Sequence, residues 1–293
     1  MRNRALLGVT LAVTLLAGQA AAQGHVSTST GWLAQHLRDP NLVLLHVGDE
    51  THYKTGHIPG ARLVRLQDIS TSGGGLSLEM LPADELRRRL QALGVTDRAH
   101  IVIYYGDDWV SPATRILFTL NAAGFGARTE LLDGGMRKWR KEGGAVTADA
   151  TPAARPGTLA AFQLRAPIVD AAFVRAHAGQ PGYALIDARA PVYYNGLQQS
   201  GAHDHMRRGH IPGAHNLPYD SVTNDDLTLK TPAQLRTLFR DAGVRPGDRV
   251  IAYCHIGQQA TAVVAAARAA GIDAMLYDGS FEDWTTRNLP VEQ

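Results

Sequence analysis

Residues 56–61 read Gly-His-Ile-Pro-Gly-Ala, and residues 209–214 read the same six residues again. Three further pairs follow in the same order: Leu93-Gly94-Val95 with Ala242-Gly243-Val244, His100–Tyr104 with Arg249–Tyr253, and Leu132-Asp133-Gly134-Gly135 with Tyr277-Asp278-Gly279-Ser280. Matches that recur in the same order, here 145 to 153 residues apart, are the signature of an internal repeat. The chain therefore consists of two similar halves.

Each half alternates apolar strands with helical patterns. Strands are predicted at residues 43–47 and 100–104 in the first half and at 184–187 and 249–253 in the second, all rich in branched and aromatic side chains. This alternation predicts an α/β fold in which each half forms an open, mainly parallel sheet with helices on both faces. A single sheet running through both halves is the alternative that the repeat disfavours.

The predicted domains cover residues 25–148 and 160–293. The segment between them, 149–159, contains Pro152, Pro156 and several alanines and is predicted to be a linker.

The N-terminus has the pattern of a signal peptide over residues 1–22. Arg2 and Arg4 precede a short apolar stretch, and Ala20 and Ala22 supply the small residues of a cleavage site. A retained N-terminal anchor is the alternative. No later segment has the roughly 18 consecutive apolar residues of a membrane span. The expected location is periplasmic or secreted, with no membrane attachment after cleavage.

The charge balance and the cysteine count restrict the possible functions. The chain has 29 basic and 27 acidic residues and no basic run interleaved with aromatics, which disfavours nucleic acid as a partner. Cys254 is the only cysteine, so no internal disulfide can form. A single cysteine is a small buried residue, an intermolecular pairing site or a reactive thiol, and its surroundings must decide between these.

Several motifs together resemble the tandem-domain rhodanese family of thiosulfate and 3-mercaptopyruvate sulfurtransferases. They are the repeated hexapeptide, Asp187-Ala188-Arg189, the loop Cys254-His255-Ile256-Gly257-Gln258-Gln259 ahead of a helical pattern, and Tyr277-Asp278-Gly279-Ser280 followed by Trp284. The resemblance covers nearly all of the chain after residue 22. It implies that the second domain is catalytic and that the first is not.

The first half departs from the catalytic pattern at the matching positions. Tyr105 stands where Cys254 stands, His46 where Asp187 stands, and Gly48 where Arg189 stands. In addition, the Asp-Asp pair at 107–108 would repel an anionic sulfur donor.

The chemistry that the resemblance implies requires a cysteine thiolate that attacks the outer sulfur of a donor. A loop that opens a helix can direct backbone N–H groups at the sulfur, so a lowered pKa of Cys254 is predicted. Cys254 is the predicted catalytic residue, and the predicted substrate-binding residues are Asp187, Arg189, His255, Ile256, Gly257, Gln258 and Gln259. An ion pair with a purely structural role is the alternative for Asp187 and Arg189.

The expected partners are a small anionic sulfur donor and an acceptor that is cyanide or a thiol. This chemistry needs no organic cofactor and no metal, and the histidines at 203, 205, 210 and 215 lack the spacing of a zinc site. Thiosulfate is the preferred donor because a small inorganic anion suits an exported protein, with mercaptopyruvate as the alternative.

The family members that prefer thiosulfate and those that prefer mercaptopyruvate as sulfur donor both differ from this chain. Thiosulfate-preferring members have basic residues in the loop where Ile256 stands and an arginine where Tyr193 stands, and mercaptopyruvate-preferring members have Cys-Gly-Ser-Gly. A cysteine phosphatase would need an arginine that closes the loop, and none follows Cys254 as far as Thr261. A non-enzymatic sulfur-carrier or binding module is the remaining alternative.

Overall fold

A computed structural model describes residues 26–72, 75–106, 110–160, 162–165, 167–199 and 206–293. The predicted signal peptide and the two carboxylates at 107–108 lie outside these residues. In the described part of the chain, no helix has the length and apolar character needed to cross a membrane.

The first half forms one five-stranded parallel sheet and a two-stranded ribbon. Its strands are β1 (Ser27–Thr28), β2 (Leu42–Val47), β3 (Arg62–Val64), β4 (Ser70–Thr71), β5 (Glu79–Met80), β6 (His100–Tyr105) and β7 (Thr129–Leu132). The sheet order is β1-β7-β6-β2-β3, with every neighbouring pair parallel, and β4 pairs with β5 in antiparallel fashion. The helices are α1 (Thr30–His36), α2 (Glu50–Thr55), α3 (Leu66–Ile69), α4 (Ala83–Ala92), α5 (Ser111–Leu120) and α6 (Gly135–Lys141).

The second half repeats this arrangement. Its strands are β8 (Ile168–Val169), β9 (Tyr183–Asp187), β10 (His215–Asn216), β11 (Arg249–Tyr253) and β12 (Ala274–Tyr277). They form a parallel sheet in the order β8-β12-β11-β9-β10. This order matches β1-β7-β6-β2-β3 of the first sheet strand for strand. The helices are α7 (Ala171–His177), α8 (Pro191–Tyr194), α9 (Pro232–Asp241), α10 (Ala260–Ala270) and α11 (Ser280–Thr286). The predicted pair of parallel α/β sheets is confirmed.

Alternate residues of the central strands pack on opposite faces of each sheet, as strand geometry requires. In β11, Val250 and Ala252 belong to a large core that also contains Ile101 and Ile103 of β6, while Ile251 and Tyr253 face a separate cluster. The large core therefore joins the inner faces of both sheets. It places the carboxyl ends of β6 and β11 on either side of the domain interface.

The repeated hexapeptide has a structural role in both halves. Tyr104 Oη accepts a hydrogen bond from Ile58 N at 3.0 Å, and Tyr253 Oη accepts one from Ile211 N at 3.1 Å. The hexapeptide thereby fixes the end of each central strand. Its histidines are buried and stacked on tyrosine rings, with centroid distances of 3.8 Å for His57 and 3.9 Å for His210.

Residues 151–159 contain no helix or strand and lie against the first half. Gly157 N donates to Gln91 O at 2.7 Å, and Arg87 donates to Leu159 O at 2.7 Å. Leu159 is itself buried in the large core. The segment predicted as a linker is thus attached to α4 along its second half.

Candidate active site

Cys254 immediately follows β11, and its side chain is fully buried. The backbone N–H groups of Ile256, Gly257, Gln259 and Ala260 are directed at its sulfur and favour the thiolate. The last of these is the first residue of α10, an 11-residue helix, so the sulfur lies at the positive end of the helix dipole. This arrangement is a cradle for a negatively charged sulfur.

Burial nevertheless has the larger effect on the thiol. The removal of water raises the pKa of Cys254 above its ordinary value, and the four backbone N–H groups only partly offset this rise. The predicted lowering of this pKa is therefore wrong for the resting protein. The loop alone would lower the pKa, but the packing around Cys254 excludes the solvent that would stabilise the thiolate.

The raised pKa predicts how persulfide formation on Cys254, the reaction that the family resemblance implies, depends on pH. Only the thiolate attacks the donor, so the loading rate should rise about tenfold per pH unit between roughly pH 6 and 8. The check is the pH profile of persulfide formation, together with thiolate absorbance measured as the difference between the wild type and Cys254→Ser. A thiolate titration midpoint below neutral pH would contradict this expectation.

The backbone of the loop depends on Gly257. Its φ of +83° is one that side chains disfavour, and a Cβ added there would lie 2.4 Å from the carbonyl oxygen of Asp278. Any larger residue must therefore move the loop away from the segment that follows β12.

Gly257→Ala should destabilise the fold by about 2–3 kcal/mol through backbone strain and steric clash. It should also slow sulfur loading about tenfold, because the backbone N–H groups of the loop would no longer point at the Cys254 sulfur. Gly247→Ala is the matched control, since Gly247 has a φ of +88° but nothing within 4 Å of the added Cβ. Chemical denaturation and loading rates check both variants. Equal loading rates in the two would contradict the role of Gly257.

Asp187 and Arg189 form a buried ion pair beside the loop. Arg189 Nη2 donates to Asp187 Oδ2 at 2.6 Å and to Gly209 O at 2.7 Å, and the guanidinium lies 4.0 Å from the centroid of the Phe281 ring. Burial acts to lower the pKa of Arg189, but Asp187 more than offsets it, so this pKa lies above the ordinary value. The geometry is that of a fixed cation near Cys254, and the predicted donor-binding role of Asp187 and Arg189 remains a prediction.

The remaining residues predicted for substrate binding lie in different environments. His255 is partly exposed and packs edge-on against Tyr193, with a centroid distance of 4.8 Å. Ile256 packs against the smaller hydrophobic cluster of the second half, which contains Ile251 and Tyr253. Gln258 is buried and donates from Nε2 to Ser111 Oγ at 2.9 Å, so its amide is held by the first half. His255, Ile256 and Gln258 remain predictions as substrate-binding groups, and so do Gly257 and the partly buried Gln259.

The first half supplies a residue that sequence reasoning missed. Arg115 of α5 is buried, and its Nη1 donates to Gly257 O at 3.1 Å. The same guanidinium forms an ion pair with Asp278, whose Oδ2 also accepts from Met80 N at 3.3 Å. Arg115 of the first half therefore holds the Cys254 loop in position across the domain interface. No local pattern around residue 115 signals this contact, which forms only when the two sheets pack together.

Ser280 closes the site from the side of α11. Its hydroxyl accepts a hydrogen bond from Cys254 N at 3.1 Å and donates to Tyr277 O at 2.8 Å. Phe281 N donates to Cys254 O at 3.0 Å, which fixes the peptide on the other side of the cysteine. The Tyr277-Asp278-Gly279-Ser280 motif and the residue after it thus fix the backbone N–H and C=O groups of Cys254.

The matching site of the first half is filled by a side chain. Gly135 occupies the position of Ser280, and a Cβ there would lie 2.5 Å from the ring of Tyr105. The tyrosine hydroxyl donates to Leu227 O of the second half at 2.7 Å. Where the second half places a sulfur, the first half has a ring that helps to join the two halves.

Comparisons with known proteins agree with this geometry. The rhodanese-like domain model matches residues 29–142 and 170–287. A putative thiosulfate sulfurtransferase, SseB of Mycobacterium tuberculosis, is 34% identical over 240 residues, which cover 80% of this chain and 82% of the relative. The sulfur carrier protein TtuD of Thermus thermophilus is 29% identical, with 82% and 86% covered.

Among solved structures, the 3-mercaptopyruvate sulfotransferase SseA of Escherichia coli superimposes with a TM-score of 0.76 at 26% identity, with 87% of this chain and 98% of that chain covered. Both matched segments of the family model contain one of the two parallel sheets described above. The chain therefore belongs to the rhodanese-like domain family, with one such domain in each half.

Proposed function

We propose that this protein is a sulfurtransferase that moves sulfane sulfur from thiosulfate to cyanide or a thiol acceptor through a persulfide on Cys254. The observation that carries the proposal is the set of four backbone N–H groups directed at the Cys254 sulfur at the start of α10. Donors aimed in advance at a developing negative charge stabilise it without reorganisation. The same cradle would serve the thiolate, the bound donor and the persulfide.

In the first half-reaction, the Cys254 thiol loses its proton to solvent, and the thiolate attacks the outer sulfur of thiosulfate. The new bond joins the two sulfurs, the bond between the outer sulfur and the sulfite group breaks, and sulfite leaves with the electron pair. The enzyme now carries a Cys–S–S⁻ anion. The charge of Cys254 raises the pKa of Arg189, so the two groups interact electrostatically. The guanidinium would therefore stabilise both the thiolate and the persulfide anion.

In the second half-reaction, cyanide attacks the outer sulfur of the persulfide through its carbon. Thiocyanate leaves, and the electron pair of the broken S–S bond returns to Cys254 as the thiolate. A thiolate acceptor would attack the same sulfur in the same way. The chemistry is complete with the residues of the chain and the two substrates, so the proposal includes no cofactor.

Two alternatives have support from the relatives. Similarity to the sulfotransferase SseA favours mercaptopyruvate as donor, and similarity to TtuD favours a sulfur carrier that passes its sulfur to another protein. Thiosulfate takes precedence because relatives at 30% and 31% identity are named thiosulfate sulfurtransferase, and SseB at 34% is named a putative one. The thiosulfate proposal and its two alternatives all use a persulfide on Cys254.

Steady-state kinetics with thiosulfate and cyanide test the proposal. A persulfide enzyme releases sulfite before cyanide binds, so double-reciprocal plots at several cyanide concentrations should give parallel lines. Mercaptopyruvate measured in parallel ranks the donors by kcat/KM. Intersecting lines would contradict the double-displacement mechanism, and no thiocyanate from either donor would favour the sulfur carrier.

We further propose that the mature protein is exported and begins at Gln23. The support is the n-region, apolar stretch and small-residue pattern of residues 1–22. N-terminal sequencing of the protein recovered from the periplasm or medium tests this proposal. A mature protein that begins at Met1 in the cytoplasm would contradict it.

A further inference from the structure

A cavity of about 330 Å³ lies between the two domains, away from the Cys254 sulfur. Its walls come from α5 of the first domain and α10 of the second, together with residues 272–274 and Pro167. Small-molecule sites are commonly of this size and occur preferentially at domain interfaces. The cavity is therefore large enough for a small organic ligand.

The walls of this cavity are mainly apolar, with a polar end. Leu117, Phe118 and Val264 supply aliphatic and aromatic surface along the two helices. At the polar end, a Cβ built on Gly126 would lie 3.1 Å from both Asn121 Oδ1 and Arg268 Nη2. An acceptor and a cation are therefore close neighbours at one end of an apolar cleft.

The charge of Arg268 is not neutralised by any residue that the structure describes. Among the described residues, no carboxylate forms an ion pair with it, and its Nη2 donates to the neutral carbonyl of Gly126 at 3.1 Å. Asp273, which also lines the cavity, is paired instead with Arg249 at 2.7 Å. Burial lowers the pKa of Arg268, which reflects the cost of holding an unpaired cation in this position. A bound anion would remove that cost.

Asn121 adds a second unused group. Its Oδ1 is buried and has no hydrogen-bond partner within the described residues. A buried acceptor without a donor is costly, and a ligand hydroxyl would satisfy it. The polar end thus has one position for a carboxylate and, next to it, one position for a hydrogen-bond donor.

We infer that this cavity is a second binding site, which takes a small amphipathic carboxylate with a hydroxyl group on the carbon next to the carboxyl carbon. The carboxylate pairs with Arg268, the hydroxyl donates to Asn121 Oδ1, and the aliphatic chain lies along Leu117, Phe118 and Val264. No bond to the ligand is made or broken.

The site is connected to the Cys254 loop through two threonines. Thr114 and Thr261 line the cavity, and their hydroxyls lie 2.9 Å apart across the interface. Thr261 Oγ1 also donates to Gln258 O at 2.6 Å, inside the loop. A ligand that packs against this pair holds α5 and α10 together where they support the loop, so binding should raise the melting temperature of the whole chain.

Calorimetric titration of the full mature chain with 2-hydroxyoctanoate tests the inference, with octanoate, 1-octanol and octylamine as comparison probes. One saturable site is expected, with affinity falling from 2-hydroxyoctanoate to octanoate to 1-octanol, and no binding of octylamine. Arg268→Gln should weaken 2-hydroxyoctanoate binding at least tenfold, and Val264→Phe should abolish it by filling the cavity. Arg98→Gln removes the same charge from an exposed position and should change nothing.

Cys254→Ser should bind 2-hydroxyoctanoate as tightly as the wild type, because the cavity does not include the sulfur. Melting temperatures of all variants without ligand show whether each one is folded. The inference is overturned if 2-hydroxyoctanoate shows no saturable binding, if Arg268→Gln binds it with wild-type affinity, or if octylamine binds equally well.

Discussion

Cys254→Ser is expected to abolish sulfur transfer while the protein stays folded. A serine hydroxyl stays protonated where a thiol ionises, and it is a far weaker nucleophile towards sulfur. The rate of thiocyanate formation should fall by about a thousandfold or more, as it does when other enzymes lose their nucleophile. The smaller oxygen still fits between the loop and Ser280, so the melting temperature should change little.

Tyr105→Phe is the matched control, because Tyr105 occupies the equivalent position in the first domain. It removes one hydrogen bond across the interface, to Leu227 O, and should cost about 1 kcal/mol of unfolding free energy without removing activity. Thiocyanate production and thermal denaturation of both variants provide the check. Sulfur transfer by Cys254→Ser at a rate near that of the wild type would mean that another group carries the sulfur.

Arg115→Met is expected to have the largest effect on stability. It leaves the carboxylate of Asp278 buried and unpaired, and breaking a buried ion pair in this way costs about 3–5 kcal/mol. It also removes the hydrogen bond to Gly257 O, so the loop loses its support from the first domain. Sulfur loading should slow on the order of a hundredfold, since catalytic geometry tolerates little displacement.

A double variant separates the two effects. Arg115→Met with Asp278→Leu removes both charges and should recover much of the lost stability, as apolar replacements of buried ion pairs do. Its loading rate should remain low, because Gly257 O still lacks its donor. Arg65→Met, which breaks a partly exposed pair with Asp68, is the control and should cost no more than about 1 kcal/mol. Recovery of both stability and loading in the double variant would show that Arg115 is not a positioning residue.

The fold could be predicted from the sequence because its signals are local and occur twice. The branched and aromatic patterns predict both central strands to within a residue, and the helical pattern predicted after the Cys254 loop corresponds to α10 (Ala260–Ala270). The equivalent helices α4 and α9 begin differently. Pro82 precedes it without a side-chain hydrogen bond, whereas Thr231 caps α9 of the second half.

The site could be predicted only as far as its own loop extends. Cys254, Gly257 and the helix that follows were recognisable from their order in the chain, and so was the absence of a nucleophile at Tyr105. The raised pKa of Cys254 could not be recognised from the sequence, because it depends on how completely the packed domains exclude water from the thiol. Arg115 was missed for a related reason, since it lies 142 residues from Gly257 along the chain.

The predicted role of Arg189 shows the same limit. The sequence placed it next to Asp187 at the end of β9, where either a donor-binding cation or an ion pair was plausible. The structure adds that Gly209 O takes a further hydrogen bond from its guanidinium, which turns the side chain inwards. That contact comes from a loop 20 residues away, whose path the local pattern did not specify.

Intact-protein mass spectrometry of the purified mature chain, before and after thiosulfate and in parallel with mercaptopyruvate, tests the central claim most directly. We predict that the wild type gains the mass of one sulfur atom, that cyanide removes it, and that Cys254→Ser gains nothing. The donor that produces the gain identifies the sulfur source. No gain with either donor, or a gain that persists in Cys254→Ser, would contradict the assignment of Cys254 as the sulfur carrier.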